Sequence, residues 1–141
     1  MRDLPRQLSV DELAGLFEGR TRFVELLAQL EDPLRRAREV AATLSDAEKK
    51  EVLDAHPAIG AKKLSERSAA EQGTEAVPEL DALNRDYEQK FGFRFVVFVN
   101  RRPRSELVPI LRARLERTRE EELATALDEL VAIAEDRWRT S

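Results

Sequence analysis

One histidine, His56, stands in the stretch His56-Pro57-Ala58-Ile59-Gly60, and imidazole is the side chain whose ordinary pKa allows proton exchange at neutral pH. The chain has no cysteine. Thiolate nucleophiles, disulfides and cysteine-held metals are therefore impossible, and a lone imidazole excludes a multi-histidine metal site. Beyond His56 a polar stretch carries Ser68, Glu71 and Gln72. A second anomalous stretch, Phe93-Arg94-Phe95-Val96-Val97-Phe98-Val99, is a dense apolar run that breaks helical rhythm. Irregular segments on a regular scaffold are where function concentrates. The third feature is basic: Arg101, Arg102, Arg104, Arg112, Arg114, Arg117 and Arg119, with only Glu106 and Glu116 as acids among them. Phosphate binding is one reading; a solvated helix face pairing with nearby carboxylates is the plainer one. No glycine-rich phosphate loop and no nucleophile elbow occurs.

The elements that must position these residues are helices. Ser9-Val10-Asp11-Glu12 is a capping box leading into Leu13, Leu16 and Phe17. Thr21 caps a second helix with Phe23, Val24, Leu27 and Leu30 near one face. Pro33 opens a third, with Leu34, Ala37, Val40, Ala41 and Leu44 inward. Ser45-Asp46-Ala47-Glu48 is a second capping box, before Val52 and Leu53. Pro57 and Gly60 break the pattern, and 61–75 reads as a loop with a short helix around Ser68–Gln72. Helix resumes after Pro78 through Leu80, Leu83, Tyr87 and Phe91, and Gly92 ends it. By composition Phe93–Val99 is a buried strand, but it has no second strand to pair with. Pro103–Arg117 is amphipathic, and Thr118-Arg119-Glu120-Glu121 is a third capping box, before Leu123, Ala126, Leu127, Leu130, Ile133, Ala134 and Trp138. The expected architecture is all-α: a single-domain helical bundle of about seven or eight helices over residues 1–141, with an irregular central segment.

Composition agrees. At 141 residues the chain has the length of one domain, and 42% hydrophobic with 37% charged residues fits helices with well-solvated faces. Lys+Arg 24 against Asp+Glu 28 gives a net charge of −4, which does not predict a nucleic-acid or membrane-surface binder. The N-terminal MRDLPRQLSVDEL lacks the apolar core of a signal peptide, and no apolar run approaches the ~20 residues of a membrane span. A cytoplasmic protein is the expectation.

Taken in order, Leu16-Phe17-Glu18-Gly19, His56-Pro57-Ala58-Ile59-Gly60, Ser68-Ala69-Ala70-Glu71-Gln72, Asn84 with Tyr87, and Lys90-Phe91-Gly92-Phe93-Arg94-Phe95 resemble the OHCU decarboxylases. Arg114-Leu115, Ala126-Leu127 and Ile133-Ala134-Glu135-Asp136-Arg137 continue the likeness, which covers nearly the whole chain. Those enzymes convert 2-oxo-4-hydroxy-4-carboxy-5-ureidoimidazoline to (S)-allantoin in urate catabolism. The resemblance implies a cofactor-free and metal-free carboxy-lyase, all-α and homodimeric, acting on a small ureidoimidazoline. It implies His56 as catalytic proton donor, with Glu71 and Arg137 as further catalytic groups. It implies Pro57, Ser68 and Gln72 as substrate-binding residues, and Phe95, Val96, Val97, Phe98 and Val99 as a segment whose backbone groups line the site. The Phe93–Val99 run then need not be a sheet strand. Three features depart from the family's pattern: Glu31-Asp32-Pro33 stands where many members have Arg-Pro-Phe, the His56–Glu71 loop is a few residues short, and Arg94 replaces a common proline.

Two other readings compete. A catalytically silent or substrate-shifted relative would bind an allantoin-like ligand or a pathway partner; loss of His56, Glu71 or Arg137 would mark it, and all three are present. A helical interaction or nucleic-acid module would use Arg101–Arg119, although no aromatic platform for bases is interleaved there.

Overall fold

The structure, a computed structural model, describes residues 3–57 and 77–141. Seven helices lie among them: α1 (Val10–Leu16), α2 (Arg22–Leu27), α3 (Pro33–Thr43), α4 (Asp46–Asp54), α5 (Pro78–Phe91), α6 (Arg104–Leu115) and α7 (Arg119–Thr140). The three expected capping boxes all form, at Ser9/Glu12, Ser45/Glu48 and Thr118/Glu121, each satisfying the helix's first free N–H groups reciprocally. Thr21 caps α2 from its hydroxyl, and Pro33 starts α3. Gly92 closes α5 in a left-handed conformation (φ 81°) that a side chain would strain.

The long helix α7 is the spine, packing against α1, α3 and α4, while α5 and α6 pair with each other. The apolar positions spaced along each helix meet in one core, including Leu13, Phe17, Phe23, Leu27, Leu34, Leu53, Leu107, Leu111 and Leu130. The all-α expectation holds; Phe17 and Leu44 fall at the caps of α1 and α3, and Leu30 lies beyond the end of α2 and is only half-buried. The short helix expected around Ser68–Gln72 lies outside the described residues.

The strand reading of Phe93–Val99 does not hold. The segment is extended but pairs with no strand among the described residues. Phe93, Phe95, Val96, Val97 and Val99 are nonetheless buried. Side chains, most of them from distant residues, supply what a neighbouring strand would have supplied. The Arg94 N–H donates to Asp54 Oδ1 (3.0 Å) and the Phe98 N–H to Glu129 Oε1 (3.3 Å). The Val96 carbonyl accepts from Arg114 Nη1 (2.8 Å), the Phe98 carbonyl from Arg102 Nη2 (2.5 Å), and the Val99 carbonyl from Arg102 Nε (2.9 Å). Buried backbone polar groups need partners, and side chains can provide them as well as a sheet.

One of those partners belongs to a buried charge cluster. Glu122, fully buried, receives the Arg114 Nε (2.7 Å), Arg117 Nη1 (2.9 Å) and Tyr87 Oη (2.7 Å) donors. Burial and the bond to Glu122 hold the Tyr87 phenol well above its ordinary pKa. The Arg114 guanidinium also lies over the Phe95 ring, 4.6 Å from its centroid. The basic segment pairs with nearby carboxylates: Arg112 with Glu79 and Arg119 with Asp46 are exposed pairs, while the buried Arg114 and the half-buried Arg117 serve Glu122.

Candidate active site

Helix α4 ends at Asp54 with Ala55 as its cap, and the His56 N–H still reaches the Leu53 carbonyl at 3.2 Å. Pro57, half-buried, cannot extend the helix, so the chain turns out of α4 at the imidazole. The turn carrying Glu18 and Gly19 lies close by. A Cβ on Gly19 would come within 3.3 Å of the Ala55 Cβ, so the close approach of that turn to the end of α4 favours glycine. Glu18 itself takes a left-handed conformation, φ 64°, which is uncommon for a side-chain-bearing residue.

His56 is 5% exposed, and neither ring nitrogen has a hydrogen-bond partner among the described residues. Such an orphaned pair of polar atoms is costly to bury and calls for an explanation. Burial pushes the imidazole down to about 4, and the Arg137 charge adds to the effect. The Glu18 carboxylate and the nearby Val52 carbonyl oppose it, the carbonyl without the geometry of a proper hydrogen bond, and Arg94 pushes weakly downward. At neutral pH the ring is therefore uncharged.

Arg137 is not an exposed helix-end residue. It is 4% exposed, with Nη1 donating to the Leu16 carbonyl (3.1 Å) and Nη2 paired with Glu18 Oε1 (3.0 Å). The carboxylate sits on the turn after α1 and the guanidinium near the end of α7. Together they place an ion pair within electrostatic reach of the imidazole.

Of the residues expected from the sequence, His56, Pro57 and Arg137 are described, and the charges of His56 and Arg137 act on each other. Phe95–Val99 is described as the buried extended segment above, and Arg94, at its start, bonds to the end of α4. Ser68, Glu71 and Gln72, and with them the shortened loop, lie outside the described residues. Glu18 was quoted in the resemblance but given no role. The signal available for it was a carboxylate just before a glycine at a helix end, which by itself is common. Among the departures, Glu31-Asp32-Pro33 forms the turn into α3, with Asp32 left-handed and Glu31 paired to Arg6 at the surface. Arg94 bonds to the His56 and Asp54 carbonyls and to Glu88. No group of three or more His, Asp or Glu side chains suited to a metal occurs among the described residues.

Among the described residues, a helical bundle thus holds a buried imidazole without a hydrogen-bond partner beside an arginine–carboxylate pair, groups whose chemistry suits proton transfer. The OHCU decarboxylase family model matches residues 2–139, and the chain belongs to that family. It is 32% identical over 116 residues to the 2-oxo-4-hydroxy-4-carboxy-5-ureidoimidazoline decarboxylase of Haloferax volcanii, covering 74% of this chain and 68% of that protein. It is 31% identical over 105 residues to the uric acid degradation bifunctional protein of Bacillus sp. (strain TB-90), covering 68% of this chain but only 21% of that one. The chain thus spans about a fifth of the length of that bifunctional relative. A crystal structure of an OHCU decarboxylase in the presence of (S)-allantoin has the same fold, with a TM-score of 0.74, 24% identity, and coverage of 90% of this chain and 94% of that one.

Proposed function

We propose that this chain decarboxylates 2-oxo-4-hydroxy-4-carboxy-5-ureidoimidazoline to (S)-allantoin as one step of urate breakdown, using no metal and no organic cofactor. The observation that carries the reading is the His56 ring, buried with both nitrogens unpartnered among the described residues and held neutral beside the Glu18–Arg137 pair. Membership of the family and the ureidoimidazoline decarboxylase named among its relatives support the substrate.

The substrate has a carboxylate and a hydroxyl on one ring carbon, next to an unsaturated carbon–nitrogen unit. When the carbon–carboxylate bond breaks, its electrons pass into that unit and CO2 leaves. A neutral imidazole is the form needed to accept the hydroxyl proton, and the oxygen becomes a carbonyl. The imidazolium so formed, in a pocket that disfavours its charge, is a strong acid. It returns the proton to the carbanion-like carbon on one face, which gives the product its handedness. One proton from water, taken up by the nitrogen of the former carbon–nitrogen unit, balances the carboxylate lost as neutral CO2 and leaves hydroxide in solution. Arg137 holds a substrate oxygen or orients the pocket through Glu18. Glu71 orients the imidazole or the ureido N–H groups; Gln72, Ser68 and Pro57 contact the ring and ureido group; and backbone groups of Phe95–Val99 line the pocket. The 141 residues work as one domain, in the cytoplasm and as a homodimer.

The test is turnover. Substrate generated in place from urate should give a circular dichroism signal of (S)-allantoin much faster in the presence of the protein than without it. Accumulation of racemic allantoin at the spontaneous rate would refute the proposal.

A further inference from the structure

We propose that Arg94 is a positioning residue, whose guanidinium clamps the backbone on which His56 is mounted and so fixes the imidazole for proton transfer. The inference rests on the catalytic reading of His56. Arg94 Nη1 donates to the His56 carbonyl at 2.6 Å and to the Asp54 carbonyl at 3.2 Å. Its backbone N–H donates to Asp54 Oδ1 at 3.0 Å, and its Nε is braced by Glu88 Oε1 at 3.0 Å.

Three bonds from one residue thus tie the buried extended segment to the end of α4, and the fourth braces Arg94 against α5. The carbonyls at a helix C-terminus have no intrahelical partner, and a cation there is favourable. Here that end is also the mount of the candidate catalytic group. Pro57 offers no N–H and helix α4 has already ended, so the His56 peptide would otherwise be loosely held. The Arg94 fork is planar and rigid, and a lysine ammonium cannot both bridge two carbonyls and keep the Glu88 contact in the same plane. The Arg94 side chain is 31% exposed and that of Glu88 41%, so replacing either opens no cavity in the core.

Among the described residues, the charged groups around His56 come from three neighbouring elements and from the end of α4 itself. Glu18 lies on the turn after α1, Arg137 on α7 and Arg94 on the extended segment; Asp54, at the end of α4, bonds to Arg94 and Lys50. Glu18 favours the charged imidazole, whereas Arg137 and Arg94 disfavour it.

The experiment compares Arg94→Lys, Arg94→Ala and Glu88→Gln with the wild type. The readouts are kcat and KM on substrate generated from urate, and NMR titration of the imidazole protons, which belong to one residue because the chain has a single histidine. In Arg94→Lys, kcat should fall about tenfold or more while KM stays within about twofold, since misplacing a proton donor lowers the chemical step. Glu88→Gln should lower kcat by a smaller factor. The imidazole signals should broaden or split in Arg94→Lys with their titration midpoint little changed. In Arg94→Ala the midpoint should rise because a cation is gone. A lower melting temperature with kcat and the imidazole spectrum unchanged would make Arg94 merely structural and overturn the proposal. If Arg94→Lys does not fold, Glu88→Gln decides by the same criteria. If the wild type itself gives no turnover, the decarboxylase reading fails separately. The imidazole spectrum of Arg94→Lys then still decides whether the clamp holds His56, an unchanged spectrum overturning it.

Discussion

Replacing His56 by leucine, similar in volume and unable to titrate, should flatten the acid side of the protein's stability profile. In the unfolded chain an imidazole titrates near 6.5; in the fold, burial and the Arg137 charge bring His56 down to about 4. Above about pH 6.5 both states carry a neutral ring and the group contributes nothing to the slope. As the pH falls below that, the unfolded chain takes up a proton that the folded chain refuses, so stability is lost progressively until the folded ring protonates near 4. At about 1.36 kcal/mol per pH unit the loss comes to roughly 3 kcal/mol, a large share of the 5–15 kcal/mol that holds an ordinary domain. The His56 side chain is almost completely buried, so solvent screening does not dilute this figure much. The assay is urea unfolding followed by far-UV circular dichroism at several pH values between about 7 and 4, with slopes compared to confirm two-state behaviour. Carboxylates common to both proteins contribute equally, so the difference between wild type and His56→Leu isolates the imidazole. The wild type should lose roughly 3 kcal/mol more than the variant across that window. Parallel profiles would mean that the folded state does not disfavour the charged ring, and the neutral imidazole on which the mechanism depends would be gone.

Other outcomes follow from the same structure. Glu122→Leu should destabilise by about 3–5 kcal/mol in urea unfolding, because the buried Arg114 guanidinium loses its carboxylate. Arg137→Lys should cost about 2 kcal/mol, since a lysine cannot serve both the Leu16 carbonyl and Glu18, and kcat/KM should fall about tenfold or more; unchanged values of both would remove Arg137 from the site. Prolonged EDTA treatment should leave turnover unaltered, and activity that disappears and returns with a divalent cation would contradict the metal-free mechanism.

Much of the scaffold was legible because its signals are local. A serine or threonine followed three residues later by glutamate marks a helix start through bonds made within one turn, and all three such boxes form. Apolar spacing along α3 and α7 names the buried faces for the same reason. Phe93–Val99 misled because composition reports burial and extension, both of which are real, but not the identity of the hydrogen-bond partner. Among the donors and acceptors that replace a strand, Arg114 and Glu129 lie 18 and 31 residues further on and Asp54 lies 40 residues back. Arg137 could be picked out through the resemblance, but its burial depends on a carbonyl 121 residues away in α1. Glu18 was invisible as a partner for that reason, and its left-handed backbone is a tertiary outcome that an acidic residue before glycine does not announce.

The central claim is that His56 moves the proton that makes the reaction stereospecific. The most direct measurement follows (S)-allantoin by circular dichroism from substrate generated in place, with His56→Ala beside the wild type at equal folded concentration. The account expects the wild type to form the (S) product rapidly and the variant to lose on the order of 10²–10⁴-fold in rate, its remaining allantoin being racemic. Enantioselective turnover by His56→Ala at the wild-type rate would contradict it.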